Sequence, residues 1–473
     1  MSLHSSAAAE APPDPRRWRA LALISAAQFM LILDVTVVNV ALPDIGADLG
    51  LTRATLTWVV TAYTLFFGGL MLLGGRLADV FGARRLMLAG LAVFTLASLV
   101  SGLAQNAPTL VGGRVAQGVG AALLSPAALA TVTTAFHGPE RNRALGVWAA
   151  IGGAGSALGV LLGGALTAGP GWRWVFFINV PAGLALLAAL PVFVSARPAG
   201  QVRQRIDLPG AVLVTTATAS LIYGLVGAGD AGWGNAGTLV PLVAAVVLFA
   251  AFALVERSVR APLMRVEMLT RRPVLAGAFL MLVATGILIG LFFLGSFYLQ
   301  HLRGYSALAT GLLFLPVAVG TGLGAHLGSR LVGRLGGRVV AVSGLVVAAI
   351  GTGLLTGLSA GASVYTTLLP GLTVASVGLG AVFVAATTTA LALTPHHEAG
   401  LASGVVNTFH ELGGAVGIAV LSTIAAASLT GSGVTGFTAA FLASAVAAGV
   451  AALVAAGLMP GGRLPASSTP HVH

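Results

Sequence analysis

The sequence predicts an all-α polytopic membrane protein that crosses the bilayer about fourteen times. Three observations carry this. Hydrophobic residues make up 57% of the chain and charged residues only 8%, with a mean hydropathy of +0.97, whereas a soluble domain carries about a quarter charged residues. Apolar runs of about twenty residues, the length of a bilayer-spanning helix, recur from end to end. Arginines occupy the short stretches between those runs and fall on one side of the membrane. Buried strands of soluble enzymes are also apolar, but they are much shorter.

The elements follow in order. Residues 1–19 are Ala/Pro-rich and polar and end on Arg16-Arg17-Trp18-Arg19. The next apolar run is too long for a signal-peptide core and reads as a retained first helix. Spans are expected at 20–42, 55–75, 86–104, 108–134, 143–168, 174–195 and 208–228. Seven more follow at 236–255, 274–298, 306–327, 339–359, 363–390, 400–425 and 434–458. Residues 459–473 form a short polar tail. In hydrocarbon each backbone donor and acceptor must be satisfied within its own element, which selects helices. The short loops require one compact bundle.

All 24 basic residues are arginine, and the net charge is +11. With the N-terminus placed inside, twenty arginines fall on the cytoplasmic side and three, Arg53, Arg173 and Arg303, on the other. The remaining one, Arg114, lies within a span. This is a positive-inside pattern rather than a nucleic-acid footprint. The absence of cysteine excludes disulfides, thiolate chemistry and Cys-ligated metals. No P-loop or HExxH stretch occurs, so neither an ATP-driven core nor a zinc site is indicated.

An internal echo organises the chain. The Gly/Arg stretch Gly74–Arg85 follows the second span, and a weaker version, Ser329–Arg338, follows the tenth. Glycine-rich stretches recur in spans five and thirteen. The pairs align if spans nine to fourteen repeat spans one to six. That divides the chain into a tail 1–19, a six-helix half 20–195, two inserted helices 196–260, a second six-helix half 261–458 and a tail 459–473. Two halves of six are a transporter architecture.

Four groups of residues are candidates for function. Asp34 stands inside the first span, about 13 Å from its outer end at 1.5 Å per residue. A carboxylate there is costly and by default functional. Arg114 lies about 9 Å below the same face in the fourth span; it needs water, a carboxylate or carbonyls. A shared cavity or pairing of the two is plausible, and so is outward snorkelling of Arg114. In the cytoplasmic stretch, Gly75 and Gly82 permit tight turns and close approach, while Asp79 can pair with Arg84 or Arg85 as a gate or cap a short helix. Gly155, Gly159 and Gly163, with Gly164 beside them, form the small-residue pattern of close helix contact. His410 and Glu411 are further ionisable residues of a span and secondary candidates for coupling. His326 lies near a span, and His396, His397 and Glu398 fit a loop.

These residues carry a resemblance. Leu33–Pro43, Gly75–Arg85, Leu110–Gly120, Trp172–Pro181 and Asn407–Gly417 resemble motifs of the fourteen-helix drug:proton antiporter branch of the major facilitator superfamily. The likeness spans about Leu21 to Leu458. It implies the major facilitator fold, proton coupling through Asp34 and Arg114, and gating by Asp79 and the neighbouring basic residues. Two departures stand out. The branch usually has a basic residue and Gln where this chain has His410 and Glu411. Its fifth-helix motif usually reads Gly-Pro, and here it reads Gly159-Val160, which removes a kink-prone position.

The expected function is proton-coupled efflux of small amphiphilic drugs, antibiotics or related metabolites by alternating access across a bacterial cytoplasmic membrane. Both termini would be cytoplasmic. The transporter would need no cofactor beyond the proton gradient, bind no nucleic acid and work as a monomer within the lipid bilayer. Uptake or facilitated movement of a nutrient or metabolite is the alternative transport reading. A non-transporting scaffold or sensor is the alternative from another class, and charges within spans speak against it. No nucleophile–base or metal arrangement points to an enzyme.

Overall fold

The computed structural model describes residues 16–136, 138–194, 207–259, 262–263, 266–359, 361–392, 399–431 and 433–461. Most of both tails, the 195–206 link with Arg197, Arg203 and Arg205, and the residues Arg260, Arg265, His396, His397, Glu398 and Arg463 lie outside them. The described residues are helical, with no strand. The first half comprises α1 (Arg17–Leu49), α2 (Arg53–Phe81), α3 (Ala83–Gly102), α4 (Ala107–Ala135), α5 (Gly138–Ala168) and α6 (Trp174–Phe193). Then come α7 (Leu208–Ala231) and α8 (Ala236–Ser258). The second half comprises α9 (Arg272–Leu302), α10 (Ala307–Leu335), α11 (Gly337–Gly357), α12 (Val364–Leu391), α13 (Ala399–Ile424) and α14 (Thr435–Leu458). By length and composition, 13 of the helices can cross a membrane. The other, α5, contributes the apolar segment Leu158–Ala168.

Helix starts follow from short polar side chains. Thr52, Asn106 and Ser306 each accept a hydrogen bond from the backbone N–H three residues on, at 3.3, 3.0 and 3.2 Å. Each satisfies one of the orphan donors of a first turn. The helices display large apolar side chains outward: Val240, Val246 and Leu254 on α8 and Leu453 on α14 are at least 65% exposed. In water such a belt would be a liability; against lipid it is the expected surface.

The packing repeats. In the first half α1 packs on α5 and α6, and α4 on α2 and α3; in the second, α9 packs on α13 and α14, and α12 on α10 and α11. The turns match as well. Gly82 between α2 and α3 has φ 90°, and Gly336 between α10 and α11 has φ 88°. Both lie in the region that glycine enters without a Cβ penalty. Between halves, α2 crosses α13 and α5 crosses α10, which are corresponding pairs under the same repeat. At the second crossing a Cβ built on Gly311 would lie 2.6 Å from the Val160 carbonyl oxygen. The inserted α7 and α8 pack on each other, and α7 lies against α2 and α13.

The cytoplasmic stretch differs from expectation. It is not a loop from Gly75 onward: α2 runs through to Phe81 and only Gly82 breaks the path. Nor is Gly75 a close approach, since a Cβ there would have Pro126 at 3.7 Å, ordinary contact. The close approach is at Gly74, whose missing Cβ would strike the Ala122 carbonyl of α4. Backbone cannot swing aside as a side-chain tip can. Gly74→Ala is therefore expected to destabilise the purified protein by about 1–3 kcal/mol, the usual cost of overpacking. Gly75→Ala should leave the thermal unfolding midpoint nearly unchanged. A thermal-shift comparison of the two variants checks this.

Candidate functional site

The site is built where α1, α2, α3, α4 and α6 meet. Close approach of α4 to its neighbours places it: a Cβ on Gly118 would lie 2.6 Å from the Tyr63 carbonyl oxygen of α2, and one on Gly120 would lie 2.7 Å from the Gly90 carbonyl oxygen of α3. The tight seams hold Arg114 inward, so it does not snorkel. Asp34 and Arg114 are both fully buried and form an ion pair through Oδ2 and Nη1.

The surrounding groups satisfy the pair's polar atoms except Arg114 Nη2, which is buried and makes no hydrogen bond among the described residues. Arg114 Nη1 also donates to Gln117 Oε1 at 2.9 Å, and Arg114 Nε donates to the Val59 carbonyl at 2.8 Å. Gln117 Nε2 donates to Asp34 Oδ1 at 3.0 Å and to Ser98 Oγ at 2.8 Å. Asn179 Nδ2, from α6, donates to the same Oδ1 at 3.0 Å. The guanidinium carbon lies 4.5 Å from the centre of the Tyr63 ring and 5.9 Å from that of Phe176, within cation–π range. Three donors converge on the Asp34 carboxylate, an arrangement suited to its anion. A proton on Oδ1 would point a donor at donors. Taking up a proton therefore requires that Arg114, Gln117 or Asn179 move.

The remaining candidates take other places. Gly155, Gly159 and Gly163 line the α1 face of α5; a Cβ at Gly159 would strike the Thr36 hydroxyl, and one at Gly163 would lie 2.9 Å from Val37 Cα. Gly164 instead faces α10, at 2.6 Å from the Ala307 carbonyl oxygen. With Val160 retaining a backbone N–H, α5 stays one helix of 31 residues. Asp79 is exposed, and among the described residues it makes no ion pair with Arg84 or Arg85, contrary to expectation. Nor does it cap a helix, because it sits within α2. Arg84 donates to the Pro191 carbonyl at 2.9 Å instead, tying α3 to α6. Arg85 is exposed. His410 shares a 2.8 Å hydrogen bond with Thr285 Oγ1 and stacks edge-on to Phe383. Glu411 lies at Gly68, on the α2–α13 crossing.

Arg53, Arg173 and Arg303, the exceptions to the charge bias, are each used at a helix end. Arg53 is buried and donates to the Val226 carbonyl of α7 at 2.8 Å. Arg173 pairs with Asp48 at 2.7 Å, and Arg303 donates to the Ala362 carbonyl at 2.7 Å. Sequence reasoning missed Gln117, Asn179, Ser98 and Tyr63 as site residues. Gln117 was within reach, since it lies three residues past Arg114 and shares its helix face. Among the described residues no group of three or more His, Asp or Glu side chains that could hold a metal ion occurs.

A family model described as Major Facilitator Superfamily matches residues 24–418 and 317–471. The chain is 43% identical to the puromycin resistance protein pur8 of Streptomyces alboniger, over 91% of this chain and 84% of that one. It is 39% identical to the cephamycin export protein CmcT of Amycolatopsis lactamdurans, over 89% of this chain and 86% of that one. Among solved structures, the POT family transporter PepTSo superposes with a TM-score of 0.65 at 17% identity, over 93% of this chain and 97% of that one. This last likeness is one of fold.

Removing one partner of the buried pair strands a charge. Arg114→Ala and Asp34→Asn are each expected to destabilise the protein by about 3–5 kcal/mol. The double variant Asp34→Asn/Arg114→Gln should recover part of that loss, because neither charge is then stranded. Thermal unfolding of the purified single and double variants measures the coupling.

Proposed function

This chain belongs to the Major Facilitator Superfamily, and we propose that it exports small amphiphilic, antibiotic-like molecules in exchange for protons. It is a multi-pass membrane transporter, not an enzyme. The observation that carries proton exchange is the fully buried Asp34–Arg114 pair with its shell of donors. The relatives named for puromycin resistance and cephamycin export support the direction and the substrate class.

In this reading the two six-helix halves, 20–195 and 261–458, rock about the α2–α13 and α5–α10 crossings. The inserted helices within 196–260 ride on α2 and α13. In this reading the membrane is the bacterial cytoplasmic one and both termini are cytoplasmic, an orientation that the positive-inside bias supports. The monomer is the working unit, and the proton gradient is the only energy source. Movement of α4 or α6 relative to α1 withdraws donors from Asp34. The carboxylate then takes a proton from the outer side and releases it inside when Arg114 returns. His410 and Glu411 are secondary candidates for coupling. Asp79, unpaired with Arg84 and Arg85 here, belongs to a cytoplasmic latch in its open form.

The test uses proteoliposomes with an imposed pH gradient and labelled puromycin. Wild type is expected to move puromycin uphill against the proton flow. Asp34→Asn, reconstituted at the same density, is expected to lose the gradient-driven part of the flux. Wild-type flux indifferent to the gradient overturns the exchange reading.

A further inference from the structure

The three arginines at the outer end of the bundle are used differently. Arg173 is fastened to Asp48, and Arg303 to the Ala362 carbonyl. Arg53 gives one donor to the Val226 carbonyl of α7, and it also lines a cavity of about 300 Å³. The cavity lies between the halves, at the end of the bundle opposite the Gly82 and Gly336 turns. Its walls include Pro43 of α1, Leu56 of α2, Phe293 and Phe297 of α9, and Leu429 of the α13–α14 link. All of these but Pro43 are buried in the bundle rather than turned to lipid.

The polar side chains on the cavity come one from each half. Arg53 is the first residue of α2, directly after the Thr52 cap. It brings a charge that no ordinary pH removes. A cation at a helix N-terminus meets the positive end of the helix dipole, which disfavours it. An anion in the cavity would meet the guanidinium and that dipole together, and both attract it. His301 is placed by a π-turn, Tyr298–Leu302, which ends α9. Such turns re-aim side chains and recur at functional sites. Here His301 lines the cavity, while its neighbour Gln300 reaches α1 and donates to the Val40 carbonyl at 2.7 Å. Val40 is about one turn inward of Pro43, so this joint between the halves lies on the inner side of the cavity. Among the described residues no acidic side chain lines it. Asp48, on the same end of α1, is held by Arg173 and Trp172 instead.

We propose that this cavity binds the anionic head of an amphiphile, a carboxylate, sulfonate or phosphate on an apolar body, at the outer face of the transporter. The charge goes to Arg53 and His301, and the body to Phe293, Phe297, Leu56 and Leu429. The anion comes from one of two sources, a solute leaving the transporter or the headgroup of an outer-leaflet lipid. This site is separate from the Asp34–Arg114 pair and does not rest on proton exchange. Puromycin flux indifferent to the pH gradient would leave it standing.

Two probes with one body isolate the charge: 1-anilinonaphthalene-8-sulfonate carries an anionic group, and N-phenyl-1-naphthylamine lacks it. Fluorescence titrations use the purified full-length protein in phosphatidylcholine nanodiscs, with protein-free nanodiscs subtracted. Wild type is expected to bind the sulfonate at a saturable site, more tightly than the neutral probe. Arg53→Gln should weaken the sulfonate roughly 10- to 100-fold, the worth of a hydrogen bond to a charged group, and leave the neutral probe unchanged. Ala47→Trp puts a bulky ring on the cavity wall without altering Arg53 or His301. It should remove both probes, and it stands in should Arg53→Gln fail to fold. Wild type that has no saturable sulfonate site or binds both probes alike overturns the proposal, and so does sulfonate binding that survives either variant intact. Native mass spectrometry from nanodiscs containing phosphatidylglycerol then separates the sources. Phosphatidylglycerol retained by wild type and lost in Ala47→Trp assigns the site to a lipid headgroup; none retained, with sulfonate binding intact, assigns it to a solute.

Discussion

The constraint on which the first half depends is the cost of placing two charges where no water can reach them. Asp34 and Arg114 are both fully buried at depths where hydrocarbon lies outside the bundle. Their attraction offsets desolvation only if the remaining lone pairs and N–H groups also find partners. Gln117, Asn179, the Val59 carbonyl and the Tyr63 face, drawn from α4, α6 and α2, supply most of those partners, and Arg114 Nη2 makes no hydrogen bond among the described residues. With Ser98 of α3 accepting from Gln117, five helices are referred to one point. A change in the charge of that point is felt by all of them, which is the property a coupling site requires.

Glycine supplies the geometry that this constraint needs. Arg114 points inward because α4 lies close against α2 and α3 at Gly118 and Gly120. The same device recurs in the second half, where a Cβ on Gly344 would lie 2.7 Å from the Gly378 carbonyl oxygen. Seams without side chains transmit motion between backbones rather than absorbing it in rotamers. The crossings between halves, at Gly311 against Val160 and at Gly68 against Glu411, are built in the same way. Close seams of small residues, with few interlocking side chains, suit surfaces that must roll on one another.

Much of the fold was legible in the sequence because the hydrocarbon forces a simple code: runs of apolar residues, arginines on one side, short polar caps at helix starts. Predicted spans such as 108–134 and 434–458 lie within a residue or so of α4 and α14. The second span was placed too short because polar and charged residues after Gly75 read as a loop, whereas a helix can run on past the membrane until a residue such as Gly82 turns it. Asp34 and Arg114 were legible as charges in the wrong solvent. Their contact was not, because it depends on which helices touch, and that is set by glycine seams spread over three helices. Asn179 was invisible for the same reason: an amide in an apolar stretch gives no sign of which carboxylate it serves. The expected Asp79 pairing failed because spacing alone does not say that Arg84 finds the Pro191 carbonyl closer to hand.

The central claim is that Asp34 exchanges a proton when its donors withdraw. Infrared difference spectroscopy of the purified transporter on acidification tests this without any ligand, since a protonated carboxyl group has a C=O stretch that an ionised one lacks. Wild type and Glu411→Gln should both show such a band, and Asp34→Asn should lose one component of it. The same spectrum from wild type and Asp34→Asn would mean that Asp34 stays ionised throughout, and the pair would then be a structural strut rather than the site of proton coupling.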